Sequence, residues 1–113
     1  MLVQKPPIET LVDQLIHQPY EGEGDYNKPI YGKYQPVEFV RIDRKPKYSF
    51  TTDGKQLLRN AKVFCYYGLT TPLPKFKEQD MIIFDGEEHK IVSAAMFKEP
   101  YVDQIYSYEL EAI

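Results

Sequence analysis

The clearest pattern in the chain is a strict alternation of apolar and polar positions in its second half. Residues 106–112 carry aromatic or aliphatic side chains at even positions and polar ones at odd positions. Residues 60–67 also have the period of a strand, with one side formed by Ala61, Val63, Cys65 and Tyr67 and the other by Lys62, Phe64 and Tyr66. A period of two places successive side chains on opposite faces of a strand. Both segments are therefore predicted to be strands, and the C-terminal one a half-buried antiparallel strand.

Two Asp-Gly pairs interrupt the strand-like segments and predict tight hairpins. Asp53-Gly54 separates residues 48–52 from 55–58, and Asp85-Gly86 separates residues 81–84 from 87–96. A two-residue hairpin turn needs positive φ at both central residues, which Asp and Gly tolerate well. Asp53, Gly54, Asp85 and Gly86 are therefore the predicted structural turn residues.

The N-terminal arm, residues 1–18, shows a different spacing. Apolar residues recur there at intervals of three and four, at Ile8, Leu11, Val12, Leu15 and Ile16. This spacing, after a Pro-Pro pair and before Pro19, predicts a short amphipathic helix. Its apolar stripe either packs on the chain's own barrel or docks on a neighbouring subunit. Leu11 and Leu15 are therefore candidate subunit-interface residues.

Residues 19–36 are rich in glycine, proline, tyrosine and charge, and they keep no clean period. The segment is predicted to be a long loop, or a loop with one edge strand. Long loops in small domains commonly carry function. Tyrosine suits protein–protein surfaces because it combines apolar area with a hydroxyl that stays hydrated. Tyr26, Tyr31 and Tyr34 are therefore further candidate interface residues.

These elements predict an all-β, mainly antiparallel fold in one domain of 113 residues. Short strands joined by hairpins form a sandwich or a small barrel, and closing a barrel removes the exposed edges. We expect the barrel to occupy residues 37–113, after the N-terminal arm or helix and the loop of 19–36.

Composition narrows the class of protein. Apolar residues make up 42% of the chain and charged residues 27%, which permits a packed core. The formal net charge of -3 argues against a dedicated duplex-DNA binder, which neutralises phosphates with Lys and Arg. Cys65 is the only cysteine, so the chain forms no internal disulfide and suits folding in a cytoplasm. No apolar stretch approaches the length of a membrane span, and the N-terminus does not have the pattern of a signal peptide.

Residues that carry catalysis or bind metal are sparse. His17, His89 and Cys65 are the only imidazoles and thiol, too few for a convincing zinc site. The sequence contains no phosphate-binding glycine loop and no nucleophile elbow. We expect no enzymatic activity, no metal and no cofactor, with Cys65 in the core and His89 solvated on its strand.

Basic residues are concentrated around the first predicted hairpin. They are Arg44, Lys45, Lys47, Lys55 and Arg59. One interpretation is an ordinary solvated hairpin, because charge on exposed strands also blocks edge pairing. The other is a loop that faces an anion, with DNA as the obvious candidate.

Four runs of residues resemble a known family. These runs are 40–44, 58–64, 76–92 and 106–111. From about residue 37 onward the chain resembles the minor capsid proteins of tailed phages that infect Gram-positive hosts, a family related to head-closure (stopper) proteins. Gln79 departs from the pattern, since such turns usually carry glycine. A Gln-Asp turn is expected to need only ordinary φ.

The resemblance implies a small β-barrel that assembles as a cyclic homo-oligomer in the phage neck. It also implies that the protein is made in the cytoplasm of a Gram-positive host. Its implied partners are the portal and adaptor proteins, the tail-completion protein and, non-specifically, packaged DNA. By topology, residues 44–59 correspond to the stopper loop that reaches into the channel. Two alternatives remain, a barrel-type nucleic-acid-binding module and a neighbouring tail-completion protein. Tight, steeply salt-dependent binding of single-stranded DNA by the free chain would favour the first.

Overall fold

A computed structural model describes the backbone of residues 4–51 and 54–113 and the side chains of residues 4–44 and 61–113. Strands account for most of the described elements. In chain order they are β1 (Asp13–Gln18), β2 (Tyr20–Glu23), β3 (Pro29–Tyr31), β4 (Gln35–Thr51), β5 (Gly54–Tyr66), β6 (Met81–Phe84), β7 (Glu87–Lys98) and β8 (Ile105–Ala112). The described helical elements are two short 3-10 turns, Ile8–Thr10 and Asp25–Asn27.

Six of the strands close into an antiparallel barrel in the order β1-β4-β5-β8-β7-β6, with β6 pairing back onto β1. The predicted all-β barrel is therefore confirmed. Alternate residues of each strand point inward, and Val63, Ile82, Ile91 and Leu110 have no solvent exposure. A barrel of this size fills its interior with side chains. The interior is consequently a packed core.

The predicted N-terminal helix is wrong beyond its first turn. Residues Ile8–Thr10 form a single 3-10 turn, and β1 follows directly as a barrel strand that pairs with β4 and β6. The apolar spacing was ambiguous because Leu11 and Leu15, four apart, lie on one face of a helix and also on one face of a strand. Pairing with two neighbouring strands decides the conformation, since isolated short helices are marginal. The barrel thus begins at Asp13, well before the predicted boundary at 37.

Residues 19–36 are also more ordered than the predicted loop. β2 and β3 pair as a separate two-stranded antiparallel sheet, with Tyr20 opposite Tyr31. The 3-10 turn between them holds Tyr26 and Asn27 at positive φ. The ring of Tyr20 contacts that of Tyr31 edge to face, with centroids 5.9 Å apart. Local pairing and this aromatic contact replace the expected irregular stretch.

The second predicted hairpin connects β6 and β7. Phe84 pairs with Glu87, and between them Asp85 and Gly86 have φ of 55° and 72°. Both values lie in the left-handed region that this turn requires. At the first hairpin, Gly54 lies in β5 and pairs with Thr51, whereas Asp53 lies outside the described residues.

Gln79 does not have the ordinary φ expected of it. Its φ is 76°, in the region that glycine adopts most easily. The conformation lets the Gln79 amide donate to the carbonyl of Ile91 at 2.8 Å, while the Ile91 amide donates to the carbonyl of Asp80 at 2.9 Å. The turn before β6 is thereby fastened to β7, and the backbone strain at Gln79 is outweighed by this pairing.

β4 and β5 extend beyond the barrel as a two-stranded arm. β8 pairs with β5 only from Ala61 onward, and β1 pairs with β4 only as far as Val40. From Lys45 opposite Asn60 to Thr51 opposite Gly54, the described backbone of β4 and β5 pairs only with itself. Seven pairs at ~3.4 Å per residue give the arm a reach of roughly 24 Å. The radius of gyration, 15.7 Å, exceeds the roughly 13 Å of a compact chain of this length.

Candidate assembly and nucleic-acid contact sites

The arm carries most of the predicted basic cluster. Its register places Lys45 opposite Asn60, Lys47 opposite Leu58, Lys55 opposite Phe50 and Arg59 opposite Pro46. These four residues therefore lie along the projecting hairpin, although their side chains fall outside the described part of the chain. The predicted channel-facing segment is a paired β-ribbon for nearly all of its length.

Arg44 is separate from that group because carboxylates already engage its guanidinium. Its Nε donates to one oxygen of Asp85, and its terminal nitrogen donates to the other at 3.1 Å and to Asp13 at 3.1 Å. Asp13 also accepts the backbone amide of Ile42 at 3.0 Å. These interactions, led by the Asp85 hydrogen bond, raise the pKa of Arg44.

The guanidinium of Arg44 also lies over the ring of Phe84, 5.6 Å from its centroid. Arg44 therefore clamps β1, β4 and the β6–β7 turn together at the root of the arm. Arg44 therefore has a structural role at this position, and its assignment to the DNA-proximal set stays a prediction.

A second polar cluster is buried where β1, β2 and β6 meet. Asp80 has no solvent exposure, and its carboxylate accepts Nε2 of His17 at 2.8 Å, the Tyr20 amide at 2.8 Å and Nζ of Lys77 at 2.8 Å. The Lys77 amide donates to it as well, at 3.2 Å. Burial alone would raise the pKa of Asp80, but these hydrogen bonds outweigh it and hold the pKa below its usual value.

The ionised Asp80 carboxylate only accepts hydrogen bonds, so Nε2 of His17 carries the proton it shares with Asp80. The His17 ring packs edge to face on Phe76 at 4.9 Å, and its Nδ1 is buried without a hydrogen-bond partner among the described residues. The imidazole is 3% exposed. The cluster fixes the corner between barrel and side sheet.

The other two candidates for reactive chemistry are also buried. His89, expected to be solvated, is 7% exposed and stacks on Phe84 with ring centroids 4.0 Å apart. Cys65 has no exposure, as the sequence predicted, and burial raises the pKa of its thiol to about 12. Among the described residues, no three His, Cys, Asp or Glu side chains gather closely enough to hold a metal ion. Nor does any described helix have the length and apolar character to cross a membrane.

The predicted interface residues divide into two groups. Leu11 and Leu15 are each 3% exposed, and Leu15 packs in the barrel core. Neither can present its side chain to a neighbouring subunit, which corrects that assignment in favour of internal packing. Tyr26 and Tyr34 are 94% and 65% exposed, whereas Tyr31 is half-buried against Tyr20.

Sequence reasoning missed the connections that hold the irregular segments. Thr70 accepts the Tyr66 amide at 2.9 Å and donates to the carbonyl of Phe39 at 2.7 Å. Phe39 has φ of 61° at a bulge in β4, where the register with β1 shifts. In the N-terminal arm, Lys5 lies 3.8 Å from the buried carboxylate of Glu99. The Thr70–Phe39 and Lys5–Glu99 contacts have no local sequence signal, because each joins distant parts of the chain.

The described part of the chain is thus a closed antiparallel β-barrel from which a two-stranded ribbon projects. The chain matches the minor capsid protein family over residues 7–112 and belongs to that family. The uncharacterized protein ORF5 of Lactococcus phage LL-H is 25% identical to it over 94 residues, which cover 76% of this chain and 80% of the relative. Family membership gives the chain a structural role in a phage particle.

Proposed function

We propose that this minor capsid protein is a non-enzymatic subunit of the head–tail connector, a ring that joins the portal and adaptor to the tail and retains packaged DNA. The observation that carries the proposal is the basic arm formed by β4 and β5. It projects roughly 24 Å from the barrel and carries Lys45, Lys47, Lys55 and Arg59. In a ring, copies of such an arm directed at the axis would line the channel with positive charge.

Electrostatics supports this placement of the arm. The whole chain has a net charge of -3. Because four cations lie on the β4–β5 arm, the arm is positively charged while the rest of the chain is acidic. Closely placed Lys and Arg side chains bind DNA phosphates favourably, because binding releases counterions condensed on the DNA. Each subunit need hold DNA only weakly, because many arms act together in a ring.

The test removes three of the arm's four positive charges and leaves the clamp at its root unchanged. The triple variant Lys45→Gln, Lys47→Gln, Lys55→Gln is supplied to phage lacking the wild-type gene, and Arg44 is kept. We expect the variant to fold and enter particles normally, while full heads lose DNA before or during tail attachment. Packaged DNA is measured by nuclease protection.

The matched control removes three exposed lysines of the barrel and side sheet, Lys28→Gln, Lys33→Gln and Lys90→Gln. It changes net charge equally and is expected to retain DNA as the parent does. Equal retention by the arm variant and the parent would contradict a role for the arm in holding DNA. Steeply salt-dependent binding of single-stranded DNA by the free chain would instead favour a nucleic-acid-binding module.

A further inference from the structure

The six barrel strands give the molecule two distinct ends. β4 leaves the barrel after Arg44 and β5 enters it at Ala61, so the arm projects from one end. The β6–β7 turn lies at this same end, because Asp85 contacts Arg44. Neighbouring strands run antiparallel, which places the β7–β8 connection and the chain that follows β5 at the other end. That end, here called the far end, therefore faces away from the arm.

A cavity of about 450 Å³, here called the far cavity, opens at the far end. Its lining includes Leu73 and Ile105, which are partly buried and pack against the barrel core. Tyr67 and Met96 also line it and are each 45% exposed. Binding sites are commonly apolar cavities of this size, and the mouth of a β-barrel is one of their usual places. A group that enters the far cavity therefore reaches the edge of the core.

Tyr108 adds a polar group to this apolar lining. The residue is 4% exposed and lines the far cavity, and its ring packs edge to face on Phe76 with centroids 5.5 Å apart. Within the part of the chain that the structure describes, no residue forms a hydrogen bond with the Tyr108 hydroxyl. A tyrosine that is buried to this extent usually has a hydrogen-bond partner for its hydroxyl. The hydroxyl is thus placed to hold a polar group that enters with an apolar one.

The rim of the far cavity carries an uncompensated positive charge. Lys98 and Asp103 pair at 2.9 Å and cancel each other. Lys5, which lies close by, pairs with the buried carboxylate of Glu99 at 3.8 Å. Lys75 is exposed on the rim, and no carboxylate of the described residues pairs with it. The rim is therefore complementary to a carboxylate that lies next to an inserted apolar group.

The proposed ring determines which partner can reach the far cavity. When the arms of all copies point at the ring axis, their far ends point away from it, so the cavities do not face other copies of this chain. The occupant is therefore a different protein. Tyr101, which is 77% exposed, and the exposed Val102 extend the apolar surface in the loop beside the cavity. Exposed apolar patches of this kind mark protein contacts.

We infer that the far cavity binds an extended segment of another virion protein. The segment inserts one aromatic or aliphatic side chain and places a neighbouring Asp or Glu against Lys75, and a polar group of the same segment hydrogen bonds to the hydroxyl of Tyr108. The inference rests on the proposed connector ring and names the surface by which the ring holds an adjacent protein. The basic arm takes no part in this contact, because it lies at the opposite end of the barrel.

Site-specific photocrosslinking in phage particles tests the far cavity. The photoreactive residue p-benzoylphenylalanine replaces Met96, which lines the cavity, or Val92, which is 41% exposed on the same strand but outside the cavity. Each variant is supplied to phage lacking the wild-type gene, and the purified particles are irradiated. Adducts are separated on a denaturing gel, and the linked peptides are identified by mass spectrometry.

We expect the probe at position 96 to form an adduct with a different virion protein, at a segment that carries an Asp or Glu within a few residues of the linked side chain. The probe at position 92 should form none. Lys75→Glu should lower the yield of the adduct about tenfold, because it opposes two like charges, whereas Lys75→Arg should preserve it. Tyr108→Phe, which keeps the ring and removes the hydroxyl, should lower the yield about fivefold. Lys90→Glu makes the same charge change at an exposed lysine outside the cavity and should leave the yield unchanged.

Equal yields at positions 92 and 96, adducts only between copies of this chain, or an adduct that Lys75→Glu does not weaken would overturn the inference. An immunoblot of the particles and a nuclease-protection measurement of their DNA keep the two proposals distinct. Particles that contain the chain and retain DNA but give no adduct at position 96 remove only the contact at the far cavity. Particles that assemble without the chain remove the connector role, and the inference with it.

Discussion

Replacing Asp80 by Asn tests whether the buried polar corner holds the barrel together. The change keeps the size of the side chain and removes its charge. One oxygen becomes an NH2 group, which cannot accept the proton of His17 Nε2 or the amide of Lys77. The hydrogen bonds from Tyr20 and the Lys77 ammonium are left with a neutral acceptor.

The magnitude follows from the burial of this group. Charge-assisted hydrogen bonds contribute about 1.5–3 kcal/mol each, and breaking a buried pair costs about 3–5 kcal/mol because a polar group is left uncompensated. We therefore expect Asp80→Asn to lower the free energy of unfolding by about 3–5 kcal/mol. Typical domains have roughly 5–15 kcal/mol in total, so the loss is severe.

The pH dependence has a definite sign. The pKa of Asp80 is lowered in the folded state, so its stabilisation is fully present above the pKa of the unfolded chain and disappears as pH falls through the folded value. The difference between parent and Asp80→Asn should stay constant from neutral pH down to about 4 and shrink below it.

Urea unfolding followed by far-ultraviolet circular dichroism and tyrosine fluorescence measures the difference, since the chain has 10 tyrosines and no tryptophan. Asp103→Asn is the control, because Asp103 also pairs with a lysine, Lys98 at 2.9 Å, but is 90% exposed. We expect no change in its free energy of unfolding. A loss below about 1 kcal/mol for Asp80→Asn, or a difference that grows on acidification, would refute the reasoning.

Four further predictions concern the fold. Leu15→Ala should lower the free energy of unfolding by about 2–5 kcal/mol, as for a core leucine; unchanged stability with defective assembly would return Leu15 to an interface role. Gly86→Val should destabilise the chain by about 1–3 kcal/mol, because φ is 72° at Gly86 and valine disfavours positive φ. Gly86→Asn should be tolerated. Equal thermal midpoints for the two variants would contradict the turn assignment. Gln79→Gly should stabilise by about 1 kcal/mol, since Gln79 has φ of 76°, and a lower urea midpoint would count against backbone strain. Cys65, whose pKa is raised to about 12, should react with a thiol reagent only as fast as the chain unfolds, and rapid labelling at neutral pH would disprove its burial.

The barrel was predictable from sequence because its signals are local. Alternation in residues 106–112 and the Asp85-Gly86 turn each specify a strand or hairpin without reference to the rest of the chain. The misassigned N-terminal helix marks the limit of this reasoning. Leu11 and Leu15 fit both periods, and only the pairing of β1 with β4 and β6 selects the strand.

The candidate sites were less predictable because they depend on distant partners. The basic cluster is visible in the sequence, yet no local pattern shows that Asp13 and Asp85, 31 and 41 residues away, hold the guanidinium of Arg44. The buried corner likewise joins His17 to Asp80, 63 residues away. Such sites follow from strand order and register, which sequence patterns do not specify.

A cryo-electron microscopy map of the intact phage particle tests the connector role most directly. We expect this barrel in a ring between the portal and the tail, with the β4–β5 arms directed at the channel axis. Barrel density placed instead on the capsid shell or along the tail tube, with no copy at the head–tail junction, would contradict the account.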